Sequence, residues 1–203
     1  MIIEAYARAQ GVFGGVSGRT YARVVELNLS EVELSLAGPS RPHNRVTPAG
    51  LKARFEENAT KHGHGDAAAT WHVTCADGAE YDLGHGTLAI AAITSCTTAT
   101  DPAMMVAAGL TARAAHRAGL KAKPWVKRIL APGSHAAADI LKRAGLLGDL
   151  QALGFYTCGF GCMSCIGNSG DILPALKPIA ADCELTSVLS GNRNFDGRIS
   201  PDV

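Results

Sequence analysis

Two cysteines separated by two residues, Cys162 and Cys165, are the sharpest chemical signal in the sequence. They directly follow a predicted strand, and most of the residues in 161–170 are small or turn-forming. Two thiolates at this spacing can bind one metal centre from a single turn, and neighbouring glycines let backbone N–H groups approach the sulfurs. The pair alone fits half of a zinc site, a redox-active pair or an iron–sulfur cluster.

A third cysteine, Cys96, follows the apolar run 88–94 and precedes a polar Thr-Thr pair. A buried cysteine on a strand is usually a small hydrophobic residue, but a position at the carboxyl end of the strand favours a ligand. Three thiolates on neighbouring loops do not complete the usual four-cysteine zinc site. They suit a four-iron cluster with one open iron, which can act as a Lewis acid. Zinc bound by the three thiolates is a weaker alternative.

Residues 190–198 form a second polar segment just after a predicted strand. The guanidinium groups of Arg193 and Arg198 can hold carboxylates through paired hydrogen bonds, and Asn192 can orient a ligand. Taken alone, the segment favours the simpler interpretation, surface arginines in a turn.

The elements that must position these residues become regular after Gly84. Strands are predicted at 88–94, 125–130, 155–159 and 185–189, and helices at 102–118, 135–144 and 146–153. The alternation predicts an α/β fold, a three-layer α/β/α unit with a mainly parallel sheet, whose sites gather beyond the carboxyl ends of strands. Residues 1–83 are predicted to be a less regular linker segment, with a strand at 24–29 and a helix at 51–59. Residues 84–203 are predicted to form the α/β domain.

Composition excludes several classes of protein. The chain has 203 residues and a net charge of +1, which excludes strong whole-chain attraction to nucleic acid or to an anionic membrane. With 47% apolar and 18% charged residues it is too hydrophobic to be disordered, and six cysteines are too few for a disulfide scaffold. No apolar run reaches the roughly 18 residues that a membrane span needs. The N-terminus shows no signal peptide, so we expect a cytoplasmic protein with reduced thiols.

These segments together resemble the aconitase superfamily, specifically its aconitase A and iron-regulatory-protein branch. Residues 92–97 are similar to the first cluster-cysteine motif of the family, residues 161–170 to its cysteine pair, and residues 190–198 to its substrate-arginine loop. The resemblance runs along the whole chain and corresponds to the third, cluster-binding domain of the family with the linker that precedes it.

The resemblance implies that Cys96, Cys162 and Cys165 hold a [4Fe–4S] cluster. It implies that Asn192, Arg193 and Arg198 bind a tri- or dicarboxylate substrate. The family reaction is the dehydration and rehydration of citrate, isocitrate or a related 2-hydroxy acid. The catalytic base of the family lies in another domain, so no catalytic residue is assigned within this chain. We therefore expect an incomplete part of a hydro-lyase, inactive alone, that works with the remaining aconitase domains or a partner subunit.

A non-catalytic iron–sulfur or RNA-linked regulatory module is the alternative function. The near-neutral charge and the lack of a basic and aromatic stripe argue against RNA binding by this chain alone. Three residues depart from the common family pattern: Thr98 and Asp101 stand where Asn is usual, and Asp171 where Pro is usual.

The remaining cysteines and histidines are expected to be structural or solvated. Cys158 is predicted to be a buried thiol, and Cys75 and Cys183 have no partner motif. His62, His64, His72 and Cys75 could be drawn as a zinc site, but a solvated loop is the stronger expectation.

Overall fold

A computed structural model describes residues 2–14, 18, 20–38, 43–94, 101–191 and 197–203. The helices are α1 (Ile2–Ala9), α2 (Leu51–Lys61), α3 (Pro102–Arg117), α4 (His135–Arg143) and α5 (Leu147–Ala152). The strands are β1 (Leu36–Ala37), β2 (Arg45–Val46), β3 (Thr70–Thr74), β4 (Glu80–Gly84), β5 (Leu88–Thr94), β6 (Lys127–Ala131) and β7 (Thr186–Leu189). Short 3-10 helices occupy Leu29–Glu31, Pro48–Gly50, Ser164–Ile166 and Pro174–Ile179. The chain divides into two compact units, Met1–Glu33 and Leu34–Val203.

The central sheet of the second unit is parallel and has the order β6-β5-β7. In its register Thr94 of β5 is opposite Ala131 of β6, and Ala92 is opposite Leu189 of β7. Because β5 is the middle strand, both of its edges are paired, and its apolar run is buried as a central parallel strand requires. The α/β class with a parallel sheet, predicted from the sequence, is confirmed.

Two hydrophobic cores lie on opposite faces of this sheet, as the alternation along β6 shows. Leu130 packs into the core formed with α3, α4 and α5. Its neighbours Ile129 and Ala131 pack into the other core, and successive side chains of a strand point to opposite faces. That second core is covered by the β3–β4 hairpin, through Val73 and Leu83, and by the 3-10 helix Pro174–Ile179.

The helix boundaries follow from local capping. Asp101 caps α3 by accepting a hydrogen bond from the Ala103 amide at 2.9 Å, with Pro102 at the first helical position. Ser134 caps α4 in the same way, accepting from the Ala137 amide at 3.3 Å. These helices begin where the sequence predicts them to begin, and α2 is also confirmed.

Two predicted strands are absent from the described residues, and two antiparallel strand pairs, β1–β2 and β3–β4, were not predicted. In 155–159 only Thr157 pairs, by an isolated parallel bridge to Leu130, because the chain then leaves β6 to form the cysteine loop. Residues 24–29 form no strand, since they are exposed and lie beside no partner strand. The hairpin of β3 and β4 joins Thr74 to Glu80 through a five-residue loop.

The boundary between residues 83 and 84 stays a prediction about the domain organisation of the protein. Within the described part of the chain, no helix is both long and apolar enough to cross a membrane.

Candidate metal centre

The cysteine pair lies on a tightly folded loop that begins beside β6. The amide of Gly161 donates to the carbonyl of Pro132 at 2.9 Å, which fixes the loop to the carboxyl end of that strand. The 3-10 helix Ser164–Ile166 then turns the chain, and the amide of Asn168 donates to Met163 O at 3.0 Å. Cys165 is buried in this turn, whereas Cys162 is exposed. The loop thus presents one thiol inward and one at the surface.

The carboxyl ends of β5 and β7 meet this loop at Gly191. Ser190 joins the two strands, because its Oγ accepts from the Thr94 amide at 2.9 Å and donates to the Thr94 carbonyl at 2.7 Å. A Cβ placed on Gly191 would lie 2.9 Å from Thr94 Cγ2 and 3.2 Å from Cys165 Cβ. Only a glycine fits between these two side chains, so three separate segments converge on one point.

Three of the predicted site residues, Cys96, Asn192 and Arg193, lie outside the described residues. The convergence therefore concerns their neighbours in the chain. Thr94 precedes Cys96 by two residues, and Gly191 directly precedes Asn192. Thr94 and Cys165 thus lie on either side of Gly191, close enough that a Cβ there would touch both.

Arg198 is described, and its backbone crosses the cysteine loop. A Cβ on Gly167 would lie 2.9 Å from the Arg198 carbonyl oxygen. Gly167 also has a φ of +79°, a left-handed conformation that favours glycine. Gly191 and Arg198, which lie on either side of residues 192–196, thus both lie against the cysteine loop.

An ionic cluster around Asp171 fixes the C-terminal segment to the cysteine loop. Lys177 contacts Asp171 and also donates to Asp202 Oδ2 at 2.6 Å, and Ser200 Oγ donates to Asp171 Oδ1 at 2.7 Å. The Lys177 hydrogen bond, followed by that of Ser200, lowers the pKa of the Asp171 carboxyl well below its usual range. In the sequence, Asp171 stands out only as a departure from the family pattern, because its partner Ser200 lies 29 residues away.

One further cation lies at this loop. Lys127 Nζ donates to the Asp171 carbonyl at 2.6 Å, and burial lowers the pKa of the Lys127 amine. The ammonium thus reinforces the attachment of the loop to β6.

Buried hydroxyl groups without a partner concentrate around the cysteine pair. Within the described residues, the buried side-chain atoms that lack a hydrogen-bond partner are Thr94 Oγ1, Ser164 Oγ, Ser169 Oγ and Arg128 Nε. Ser164 is 0% exposed and Thr94 is 3% exposed. A buried polar group without a partner costs about 1–3 kcal/mol, so such groups are rare and require an explanation. Hydroxyl donors beside thiols suit a sulfur-rich metal group, whose sulfur atoms accept hydrogen bonds.

No group of three His, Cys, Asp or Glu side chains forms a metal site within the described ranges, which exclude Cys96. The alternative zinc arrangement is not assembled there either. His62 and His64 both hydrogen-bond to Glu184 at 3.0 Å, whereas His72 pairs with Asp82 across the β3–β4 hairpin at 3.1 Å. His62 and His64 therefore both contact Glu184, which lies two residues before β7, and do not belong to a solvated loop alone.

The other cysteines differ from one another in exposure. Cys158 is exposed, so the prediction that it is a buried thiol is wrong; the chain pairs with β6 only at Thr157 and then turns outward. Cys75 and Cys183 are buried, and burial raises the pKa of both thiols, to about 11 for Cys183. These two are structural thiols, because the reactive thiolate is disfavoured.

Comparisons with known proteins match the whole chain. Residues 1–203 match the family described as "Aconitase family (aconitate hydratase)". The chain is 41% identical to aconitate hydratase A of Corynebacterium diphtheriae over 100% of its own length and 27% of that protein. It is 44% identical to aconitate hydratase A of Thermus thermophilus, with 100% and 24% coverage. It is 45% identical to phosphinomethylmalate isomerase of Streptomyces viridochromogenes, with 100% and 23% coverage.

The chain spans about a quarter of the length of these curated relatives. The family match covers every residue of the chain and therefore includes the two cysteine segments, 92–97 and 161–170, and the arginine segment 190–198. On this evidence the chain belongs to the aconitase family.

Proposed function

We propose that this chain is the cluster-bearing part of an aconitase-type hydro-lyase. The observation that carries the proposal is the convergence of Thr94, Cys165 and Gly191 at one point; Thr94 precedes Cys96 by two residues, and Gly191 directly precedes Asn192. Parallel strands end at one edge of a sheet, and the ends of β5 and β7 are both at this point. The buried hydroxyls of Thr94 and Ser164, which lack a partner among the described residues, support a metal group with sulfur acceptors.

Cys96, Cys162 and Cys165 would hold the [4Fe–4S] cluster. When bound, such a cluster supplies an open iron that polarises a substrate hydroxyl. Asn192, Arg193 and Arg198 would bind and orient the carboxylates, because a planar guanidinium donates two parallel hydrogen bonds to a carboxylate. The ionic cluster of Asp171 and Lys177 would keep the Arg198 segment against the cysteine loop.

The substrate class is a tri- or dicarboxylic 2-hydroxy acid. The relatives carry the names aconitate hydratase A and phosphinomethylmalate isomerase, and both names describe polycarboxylate chemistry. The base that removes the substrate proton, and further substrate contacts, would come from the remaining aconitase domains or a partner subunit. We place this activity in the cytoplasm. The net charge of +1 gives no support to an RNA-binding role for this chain alone.

Anaerobic reconstitution with iron and sulfide tests the cluster. The chain should become brown and bind about four irons, and Ser at Cys96, Cys162 or Cys165 should abolish the colour. Cys158→Ser is the matched control, because Cys158 is exposed like Cys162 and lies four residues before it; its cluster should be unchanged. Stoichiometric zinc binding with no cluster formed would contradict the proposal.

A further inference from the structure

The buried hydroxyls beside the cysteine pair have a consequence for the chemistry of the metal group. We propose that the hydroxyls of Thr94 and Ser164 donate hydrogen bonds to sulfur atoms of the [4Fe–4S] cluster and raise its reduction potential. This rests on the function proposed above. It assigns these two residues as positioning and tuning groups, distinct from the cysteines that bind iron.

Ser164 lies between the two cysteines of the pair and is completely buried. Its carbonyl is used by the loop itself, accepting from the Gly167 amide at 3.2 Å. Its hydroxyl has no partner among the described residues. The turn therefore uses the carbonyl of Ser164 and leaves its side-chain donor enclosed next to Cys165.

Thr94 reaches the same place from β5. Both backbone groups of Thr94 are bonded to Ser190 Oγ, so a hydroxyl acceptor lies close by, yet Thr94 Oγ1 itself is unpaired within the described residues. A Cβ placed on Gly191 would lie against both the methyl group of Thr94 and the Cβ of Cys165. Two separate parts of the chain thus each bury, near the Gly191–Cys165 contact point, a hydroxyl that has no partner among the described residues.

A missing acceptor explains both groups more simply than two independent defects. Native proteins rarely bury hydroxyls without partners. Cluster sulfides and thiolates are acceptors, and hydrogen bonds to them are among the factors that set the potential of a cluster. Reduction adds negative charge to the cluster, so a donor stabilises the reduced form more and raises the potential.

The experiment compares Thr94→Val and Ser164→Ala with the wild-type 203-residue chain after reconstitution. Redox titration followed by EPR should show a lower potential in each variant and a larger decrease in the double variant. Thr94→Ser, which retains the hydroxyl, should restore most of the wild-type potential. Thr87→Val is the matched control: Thr87 lies at the opposite end of β5, its hydroxyl donates to Gly84 O at 2.7 Å, and its removal should leave the potential unchanged.

A second readout uses the chain without iron. If the hydroxyls have no protein partner, Thr94→Val and Ser164→Ala should unfold in urea at the same concentration as wild type or a higher one. A lower midpoint would show that the hydroxyls stabilise the protein itself and would overturn the inference. A cluster that forms normally but keeps its potential in the variants would also overturn it, with the proposed function intact. Failure of the wild-type chain to form any cluster would overturn both.

Discussion

Residues 2–33 and the unit from Leu34 onward are both rich in apolar side chains, but only the second unit buries them. In the first unit no described residue is buried, and Leu29 is 79% exposed. In the second unit Leu130 is 0% exposed, between the sheet and its helices. The difference teaches that apolar content does not make a core unless a second layer covers it.

The exposed apolar residues of the first unit form an unusual set for the surface of a protein. They are Ile2, Ile3, Tyr6, Val12, Phe13, Tyr21, Val24, Val25, Leu27, Leu29 and Val32. A high density of exposed apolar side chains is typical of a surface that contacts another part of a protein.

The largest expected effect concerns activity. The chain alone, with its cluster intact, should not hydrate cis-aconitate, because under the proposed function the base comes from the remaining domains; general acid–base catalysis alone contributes about 10²–10⁴-fold. Adding the remaining domains of a relative in trans should give turnover, measured by absorbance of the enoate. Arg198→Lys should then reduce kcat/KM sharply, because Lys lacks the planar fork. Turnover by the chain alone would refute the division of labour.

Truncation of one leucine in each unit measures the difference in packing directly. Leu130→Ala should lower the free energy of unfolding by about 2–5 kcal/mol, because it leaves a cavity in a closed core. Leu29→Ala, the same change at an exposed site, should alter it by less than about 0.5 kcal/mol. Urea unfolding of the two variants provides the measurement. An equal loss in both would mean that the first unit is packed in solution.

Charged contacts extend the comparison and give the smallest effect. Glu4 forms a solvent-exposed ion pair at 2.9 Å with Arg8, one helical turn away. Glu184 instead accepts hydrogen bonds from three residues that are distant in the chain, Asn58, His62 and His64. Glu184→Gln should cost about 1–3 kcal/mol, and Glu4→Gln less than about 0.5 kcal/mol.

The contribution of Glu184 should also depend on pH. Burial opposes its charge, but the hydrogen bonds from His62 and His64 outweigh burial and lower the pKa of Glu184 below its ordinary 4.5. A carboxyl with a lower pKa in the folded state stabilises that state above its unfolded pKa and ceases to do so as pH falls through the folded pKa. The difference between wild type and Glu184→Gln should therefore be present at neutral pH and shrink below pH 4.5. A difference that grows with acidity would contradict this reading.

Local elements of the fold were predictable, since their signals lie within a few residues. Asp101-Pro102 and Ser134 mark the starts of α3 and α4, and the run 88–94 marks the buried strand β5. The β3–β4 hairpin also has a local signal, the Asp77-Gly78 turn between alternating segments, although no hairpin was predicted there. Residues 155–159 have strand-like composition, but the number of paired residues depends on where the chain departs from β6.

The sequence by itself determined the spacing of Cys162 and Cys165, the polar ends of the strands and the motifs that identify the family. These depend on residues adjacent in the chain. Three features depend on the tertiary structure: Thr94 and Cys165 flank Gly191, Cys158 is exposed, and the Thr94 and Ser164 hydroxyls are buried without partners in the described region. Such contacts join residues up to about a hundred positions apart, and they depend on the parallel register of β5 with β6 and β7, which no local pattern specifies.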